Sequence, residues 1–362
     1  LGIPAEPLFR SRDYLDVGAY VFKCQFNQEN AHEDGGGIYL HSKNITDISQ
    51  IPANTPLGVF STNFTACHAD RDGGAGYVFS NYGVVQDTIL RDCTANGDGG
   101  AGYIKGDYGR LLDSQLINNQ AQGNGGALYW EGNEGSITNT VYGRNRAFKN
   151  GAGIYWQGNR GNITDCNFTI NIANSTDMNY AKGGALYWQG SNGKIEHCDF
   201  DKSTARSDGA AVYVSGNDTD ILNSNFIYYN STNGSGGALY VEGNNVEIKD
   251  TTFDMGCVNR SGGAVYIKGS NVHIHDSTIT HNHAGISGGS IYIEGDDAKI
   301  VGSTVMLTYT LSGHGGSIYI KGDRTVVDHS NFTNSSSKEI EGASDIVLGG
   351  AMYVEGDDTN IT

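Results

Sequence analysis

The octapeptide Gly236-Gly237-Ala238-Leu239-Tyr240-Val241-Glu242-Gly243 returns, with small changes, along the whole chain, for instance as Gly125 to Gly132 and as Gly349 to Gly356. Twelve tyrosines mark this Gly-Gly-small-aliphatic-Tyr-aliphatic-x-Gly phrase: Tyr39, Tyr77, Tyr103, Tyr129, Tyr155, Tyr187, Tyr213, Tyr240, Tyr266, Tyr292, Tyr319 and Tyr353. Eight of the eleven gaps between them are 26 or 27 residues; the others are 38, 32 and 34. A glycine stands four residues before every one, and in the last ten another follows three residues after. A period of 26 is too short for a propeller blade or a helical-hairpin repeat, which leaves a solenoid that gains one coil per repeat.

Composition agrees with that reading. The 362 residues include 53 Gly but only 4 Pro, with no Gly-X-Y period, so the glycines serve tight turns. Tyr, Val and Ile suit pleated surfaces, and helical runs of Ala, Leu, Glu and Lys are missing, so almost no helix is expected. Downstream lies a second phrase, aliphatic-x-Asp/Asn-Ser/Cys/Thr-x-Phe, seen in Ile163 to Phe168, Ile195 to Phe200 and Ile248 to Phe253. Alternation makes this a second strand. The expected fold is all-β, a right-handed single-stranded parallel β-helix of about twelve coils, roughly 55 to 60 Å long at about 4.8 Å per coil. Residues 1–34 form a lead-in with the first partial coil, and 35–362 the repeats.

The pairing of Gly-Gly-Ala-aliphatic with Phe-x-x-Asn, carried by Leu116 to Asn119, Phe168 to Asn171 and Gly184 to Leu186, resembles the motif pair of polymorphic outer membrane proteins. The Tyr- and Asn-rich form is also similar to archaeal adhesin-like proteins. The resemblance implies a surface adhesin or stalk. Other β-helices cleave polysaccharides, so the fold does not decide the function.

Sides of the coil follow from where charge falls, because residues two apart in a strand share a face. Two residues after the tyrosine stand Lys105 and Glu131, then Glu242, Lys268, Glu294, Lys321 and Glu355. That places the twelve tyrosines in solvent as an exposed aromatic ladder, with the alternating signs fixing register at roughly 0.2 to 1 kcal/mol per pair. Such a stripe reads first as a stacked cover for the backbone and second as a platform for sugar rings or a neighbouring filament. By parity Trp130, Trp156 and Trp188 point inward.

Asn-x-Ser/Thr sequons occur at Asn44, Asn63, Asn162, Asn167, Asn174, Asn217, Asn230, Asn233, Asn259, Asn331, Asn334 and Asn360. Several precede an inward Ile or Phe and so face solvent, which makes them candidate N-glycan sites on a secreted chain. The competing reading stacks these asparagines amide to amide. Cys67 with Cys93, and Cys166 with Cys198, share a register in adjacent coils, within reach of a disulfide or as plain buried thiols. Cys24 and Cys257 have no mates.

A net charge of −17 opposes binding to nucleic acid or anionic membranes. The fragment has no run of eighteen apolar residues and no basic-then-apolar leader. The enzymatic alternative is a polysaccharide lyase or glycoside hydrolase working in a groove along the helix. Gly313-His314-Gly315 resembles the Gly-His-Gly of polygalacturonases, but its companion aspartates and Arg-x-Lys are not recognisable. Asp296-Asp297 and Asp357-Asp358 fall in recurrent turns that favour Asp for backbone reasons, and glycosidase chemistry needs two carboxylates at a set separation. His273, His275, His281 and His283 cluster in sequence, yet zinc needs three converging ligands. The expectation is no catalytic residue, no metal site and no cofactor beyond weak surface calcium.

The residues therefore favour a non-catalytic extracellular structural or adhesive module of a cell-surface protein or filament. Its partners would be copies of itself, end to end or laterally, or cell-surface glycans and proteins. Insertions around Ser49 to Gly58, Ile172 to Lys182 and Ser335 to Leu348 offer variable contact surface, the last two at one corner. Stopping at Asn360-Ile361-Thr362 predicts continuation or stacking at that end.

Overall fold

The computed structural model describes residues 20–42, 57–177, 179–338 and 348–362. Each coil has four short strands, two more than the phrases suggest. In one coil they are β21 (Asn162–Thr164), β22 (Asn167–Thr169), β23 (Ile172–Ala173) and β24 (Leu186–Trp188). Each pairs in parallel and in register with its counterpart one coil on: Ile163 with Ile195, Phe168 with Phe200, Tyr187 with Tyr213. The result is four parallel sheets, of thirteen, twelve, twelve and twelve strands, here called A to D in coil order. The molecule is thus the expected right-handed parallel β-helix, with twelve rungs bounding about eleven turns. Among the described residues there is no helix.

The second phrase is split because Ile163 and Phe168, five residues apart, both point inward, which one alternating strand cannot achieve. A corner residue in the left-handed region resets the phase: Asp165 has φ 54°. The corners recur every five residues, at Arg160, Asp165 and Ile170, then at Asp218, Asn223 and Tyr228 two coils on. Such backbone costs about 1 kcal/mol for a non-glycine residue. It persists because each corner N–H still joins the ladder, as Asp165 N–H does to Glu196 O at 3.2 Å and Ile170 N–H to Asp201 O at 2.9 Å. The turn into sheet D is sharper, and there only glycine fits. All twelve glycines that stand four before a tyrosine have positive φ, and a Cβ on Gly236 would lie 2.5 Å from Leu239 O.

Equal residues stack into ladders inside. Sheet B contributes a ring column, with Phe168, Phe200, Phe226 and Phe253 at centroid spacings of 4.7 to 4.9 Å. Sheet D contributes Trp130, Trp156 and Trp188, inward as parity predicts and fully buried, at 4.7 and 5.0 Å. Each indole lies over a glycine five residues later: a Cβ on Gly135, Gly161 or Gly193 would come within 2.4, 2.2 or 2.1 Å of its ring. Below the tryptophans the same two positions read Val214/Thr219, Val241/Val246 and Ile267/Val272.

Buried asparagines line the B to C corner. Asn119 donates from Nδ2 to Leu90 O, its neighbour Asn145 offers Oδ1 to Asn119 N–H at 2.9 Å, and Asn171 does the same for Asn145. Tyr229 occupies this column further on and reaches across Gly256, where a Cβ would meet its ring at 2.0 Å, to donate to Asn282 Oδ1 two coils away.

Candidate functional surface

The D face carries the tyrosine stripe, and its rings stack at centroid spacings of 4.5 to 5.2 Å from Tyr39 to Tyr319. Contrary to expectation the ladder is not exposed. Its residues face outward, but each ring is covered by the rings above and below, and Tyr213 is only 1% accessible beneath the Lys182 side chain, whose Nζ lies 4.5 Å from the ring centroid. Where the residue two beyond the next tyrosine is an acceptor, the hydroxyl is committed too. Five tyrosines donate this way, among them Tyr103 to Glu131 at 2.6 Å, Tyr129 to Gln157 at 2.8 Å, Tyr213 to Glu242 at 2.5 Å and Tyr266 to Glu294 at 2.8 Å. Burial pushes Tyr77 and Tyr155 up to about 12, so the phenols stay neutral. The acceptors pair in turn with lysines, Lys105 with Glu131 at 2.9 Å, Lys268 with Glu242 at 2.7 Å and Lys321 with Glu294 at 3.5 Å. Sequence reading found the charge row but not its bond to the tyrosines; the signal was the acceptor recurring at one period plus two.

Eleven of the twelve sequon asparagines lie in the described residues, and all eleven are exposed. Asn44 lies outside the described residues. Asn162 and Asn360 are on sheet A, Asn63, Asn167 and Asn331 on sheet B, and Asn230 on sheet C. Asn334 is at the B to C corner, Asn174, Asn233 and Asn259 in the C to D connection, and Asn217 in the D to A turn. None is on a strand of sheet D. Both insertions at 174–182 and after Ser337 leave from that C to D connection; most of the first one, 43–56, lies outside the described residues.

The cysteine pairs stack as the register requires, and all six cysteines are free thiols. Cys166 and Cys198 take the place of a serine: their thiols donate to Thr164 O and Glu196 O two residues back, as Ser224 does to Leu222 O. Contact with the Cys67 thiol, together with burial, pushes Cys93 up, while the same contact lowers Cys67; contact with Cys166 and burial push up Cys198.

Among the described residues three acids are raised by burial, Asp72, Asp98 and Asp220. Asp34, Asp72 and Asp98 form a column that sequence reading missed, although each precedes the glycine pair of its repeat. They act as corner caps: Asp72 Oδ1 accepts from Asp98 N–H at 2.7 Å and Asp98 Oδ1 from Asn124 N–H at 2.6 Å, while Arg71 clamps Asp34. Asp296 likewise caps Asp323 N–H at 2.9 Å, and Arg324 grips Asp297. His314 accepts at Nδ1 from Leu348 N–H at 3.0 Å and stacks on Tyr353. The histidines part company: His273 and His275 are on sheet A, His283 stacks on Tyr309 on sheet C, and His281 pairs with Asp254 at 2.8 Å. No three His, Cys, Asp or Glu side chains among the described residues converge as a metal site.

These features define a self-bonded parallel β-helix repeat protein. Residues 113–129 match the model of the Chlamydia polymorphic membrane protein repeat, so the chain resembles that family in its repeat. No curated protein sequence matches. Among solved structures, the A-module of the Azotobacter vinelandii mannuronan C-5 epimerase AlgE6 is similar at 11% identity and a TM-score of 0.44, over 95% of this chain and 91% of that one.

Proposed function

We propose that this chain is a non-catalytic, N-glycosylated structural or adhesive module at a cell surface. The observation that carries the reading is that ionisable groups of the D face and of its flanking turns bond to one another or to backbone across coils: tyrosines to carboxylates, carboxylates to lysines, turn aspartates to backbone N–H groups. Catalysis at a β-helix groove needs the opposite, groups left free to converge on a substrate. The repeat that residues 113–129 match is named for a membrane protein of Chlamydia, which supports placement at a surface. Eleven exposed sequons on three sheets and their connections suit a decorated shaft.

Incubation with acidic polysaccharides, alginate included, and with neutral ones should yield no new reducing ends, no unsaturated products and no epimerised residues. Turnover of any of them refutes the non-catalytic reading. Intact mass of the native protein should exceed that of the polypeptide by whole glycans, and a bare mass refutes the decoration.

A further inference from the structure

The geometry points to the D face as a contact surface for a second copy of this chain, laid antiparallel along the first. The inference deepens the scaffold reading and rests on it. It begins from the row two residues after the tyrosines, which runs His41, Phe79, Lys105, Glu131, Gln157, Gln189, Ser215, Glu242, Lys268, Glu294, Lys321, Glu355. Sheet D stacks these positions one per coil, so the row is a linear code at about 4.8 Å per letter.

A two-fold axis along the strand direction, between the coils of Tyr187 and Tyr213, lays one D face on another with the coil order reversed. Tyrosine row then meets tyrosine row, and charge row meets charge row. At full overlap Lys105 falls opposite Glu294 of the second copy, Glu131 opposite Lys268, and His41 opposite Glu355. No like charges oppose one another. A slip of one coil sets Lys105 against Lys268 and Glu131 against Glu242, or in the other direction Lys105 against Lys321 and Glu131 against Glu294. Both slips give two like pairs. A slip of two coils meets no like pair either but leaves ten coils in contact instead of twelve, so charge and overlap together favour the full register, where the code is self-complementary as a closed two-fold interface requires.

Area and surface chemistry agree with the code. Twelve coils by a strip about 12 Å wide cover roughly 650 Å² per copy, or about 1,300 Å² in total, within the range of specific interfaces. Stacked tyrosines present rigid amphipathic edges that lose little entropy on contact. Among the described residues no strand of sheet D bears a sequon; Asn174, Asn233 and Asn259 in the C to D connection and Asn217 in the D to A turn border the face without standing on it.

Sedimentation velocity on the full chain should show a dimer that dissociates as salt is raised. K268E and E131K should each weaken dimerisation about tenfold or more by opposing like charges, and the double variant should recover most of the loss. K268N creates a sequon with Gly269 and Ser270; made in a glycosylating host it should be monomeric, and made without glycosylation it should pair better than that. Melting curves of the variants check that the monomer stays folded. A wild-type chain that remains monomeric at about 100 µM, a dimer indifferent to the wedge, or a double variant no better than the singles overturns the pairing. Those results leave the polysaccharide assays, and so the non-catalytic reading, untouched.

Discussion

The Trp/Gly columns inside sheet D make a sharp test of how this sequence fixes its packing, and Trp188 with Gly193 is the pair to perturb. Trp188 ends the indole stack, 5.0 Å from Trp156, and Val214 follows it in register. G193V alone puts a Cβ 2.1 Å from Trp188 Cζ2. The ring cannot yield because it is wedged between the coils, so the substitution should cost at least the about 1–3 kcal/mol of ordinary overpacking. W188V alone removes roughly 90 Å³ of buried side chain, worth about 2 kcal/mol at ~24 cal/mol per Å³ of residual cavity, plus the lost contacts. Part of that is offset, because Trp188 Nε1 has no hydrogen-bond partner, unlike Trp130 and Trp156, which donate to Gly132 O and Gly158 O. Deleting an unsatisfied buried donor returns about 1–3 kcal/mol.

Together the changes nearly conserve volume, since Gly to Val restores roughly 80 Å³. They also write into this coil the pair already present as Val241/Val246. The double variant should therefore lie within about 1 kcal/mol of wild type, with a coupling energy of about 3 kcal/mol between the sites. Urea unfolding of the four proteins, followed by far-UV circular dichroism because a fluorophore is removed, measures the cycle. Single effects that add to within about 0.5 kcal/mol would refute the claim that indole and glycine are one packing unit.

Other perturbations test the remaining layers. G102A should stabilise by about 0.5–1 kcal/mol, from chain entropy and from filling the apolar space between Ile38, Val78, Ile104 and Leu128, where the new Cβ would sit 3.3 Å from Leu128 Cδ1; a lower urea midpoint counts against it. C93N should prolong the asparagine column, donating to Phe64 O as Asn119 does to Leu90 O, and so raise the melting temperature; a fall shows that the site is closed to the larger amide. Burial holds Asp98 above the ordinary carboxyl range, so the folded state keeps its proton to higher pH than the unfolded chain. Stability from this group is present at low pH and declines as pH rises through the window above the ordinary carboxyl value. D98N, with an amide as in Asn124 and Asn150 of the same column, should be more stable at pH 7 and less dependent on pH between about 4 and 7, read from melting temperatures.

The period and the sides of sheet D were legible because stacking demands identity: a Tyr above a Tyr or a Glu above a Lys survives as a repeat any reader can count. The strand count was not, because the corners that divide the coil are set by φ and carry no fixed residue. Asp165, His197, Asn223 and Met255 all take the left-handed turn, and only Asp and Asn advertise it. The signal that was available is the spacing of inward residues, Ile163 to Phe168, which is odd. Exposure of the tyrosines was misjudged for a related reason. Orientation follows from parity, but cover comes from the coils above and below, and Lys182 over Tyr213 enters from an insertion that breaks the period.

The in-register solenoid constrains what its surface can carry. Any outward side chain has its counterpart from the next coil about 4.8 Å away, so a charge repeated in place repels its own copy. The sequence meets this with alternation, as at Glu242, Lys268 and Glu294, or with neutral amides, as at Gln157 and Gln189. Both solutions consume hydrogen-bonding capacity within the molecule. Where like charges do stack, as at Asp34, Asp72 and Asp98, the backbone of the next coil takes up the carboxylates. What stays available is the alternation itself, a pattern of sign that a second surface with the matching spacing can read along its whole length.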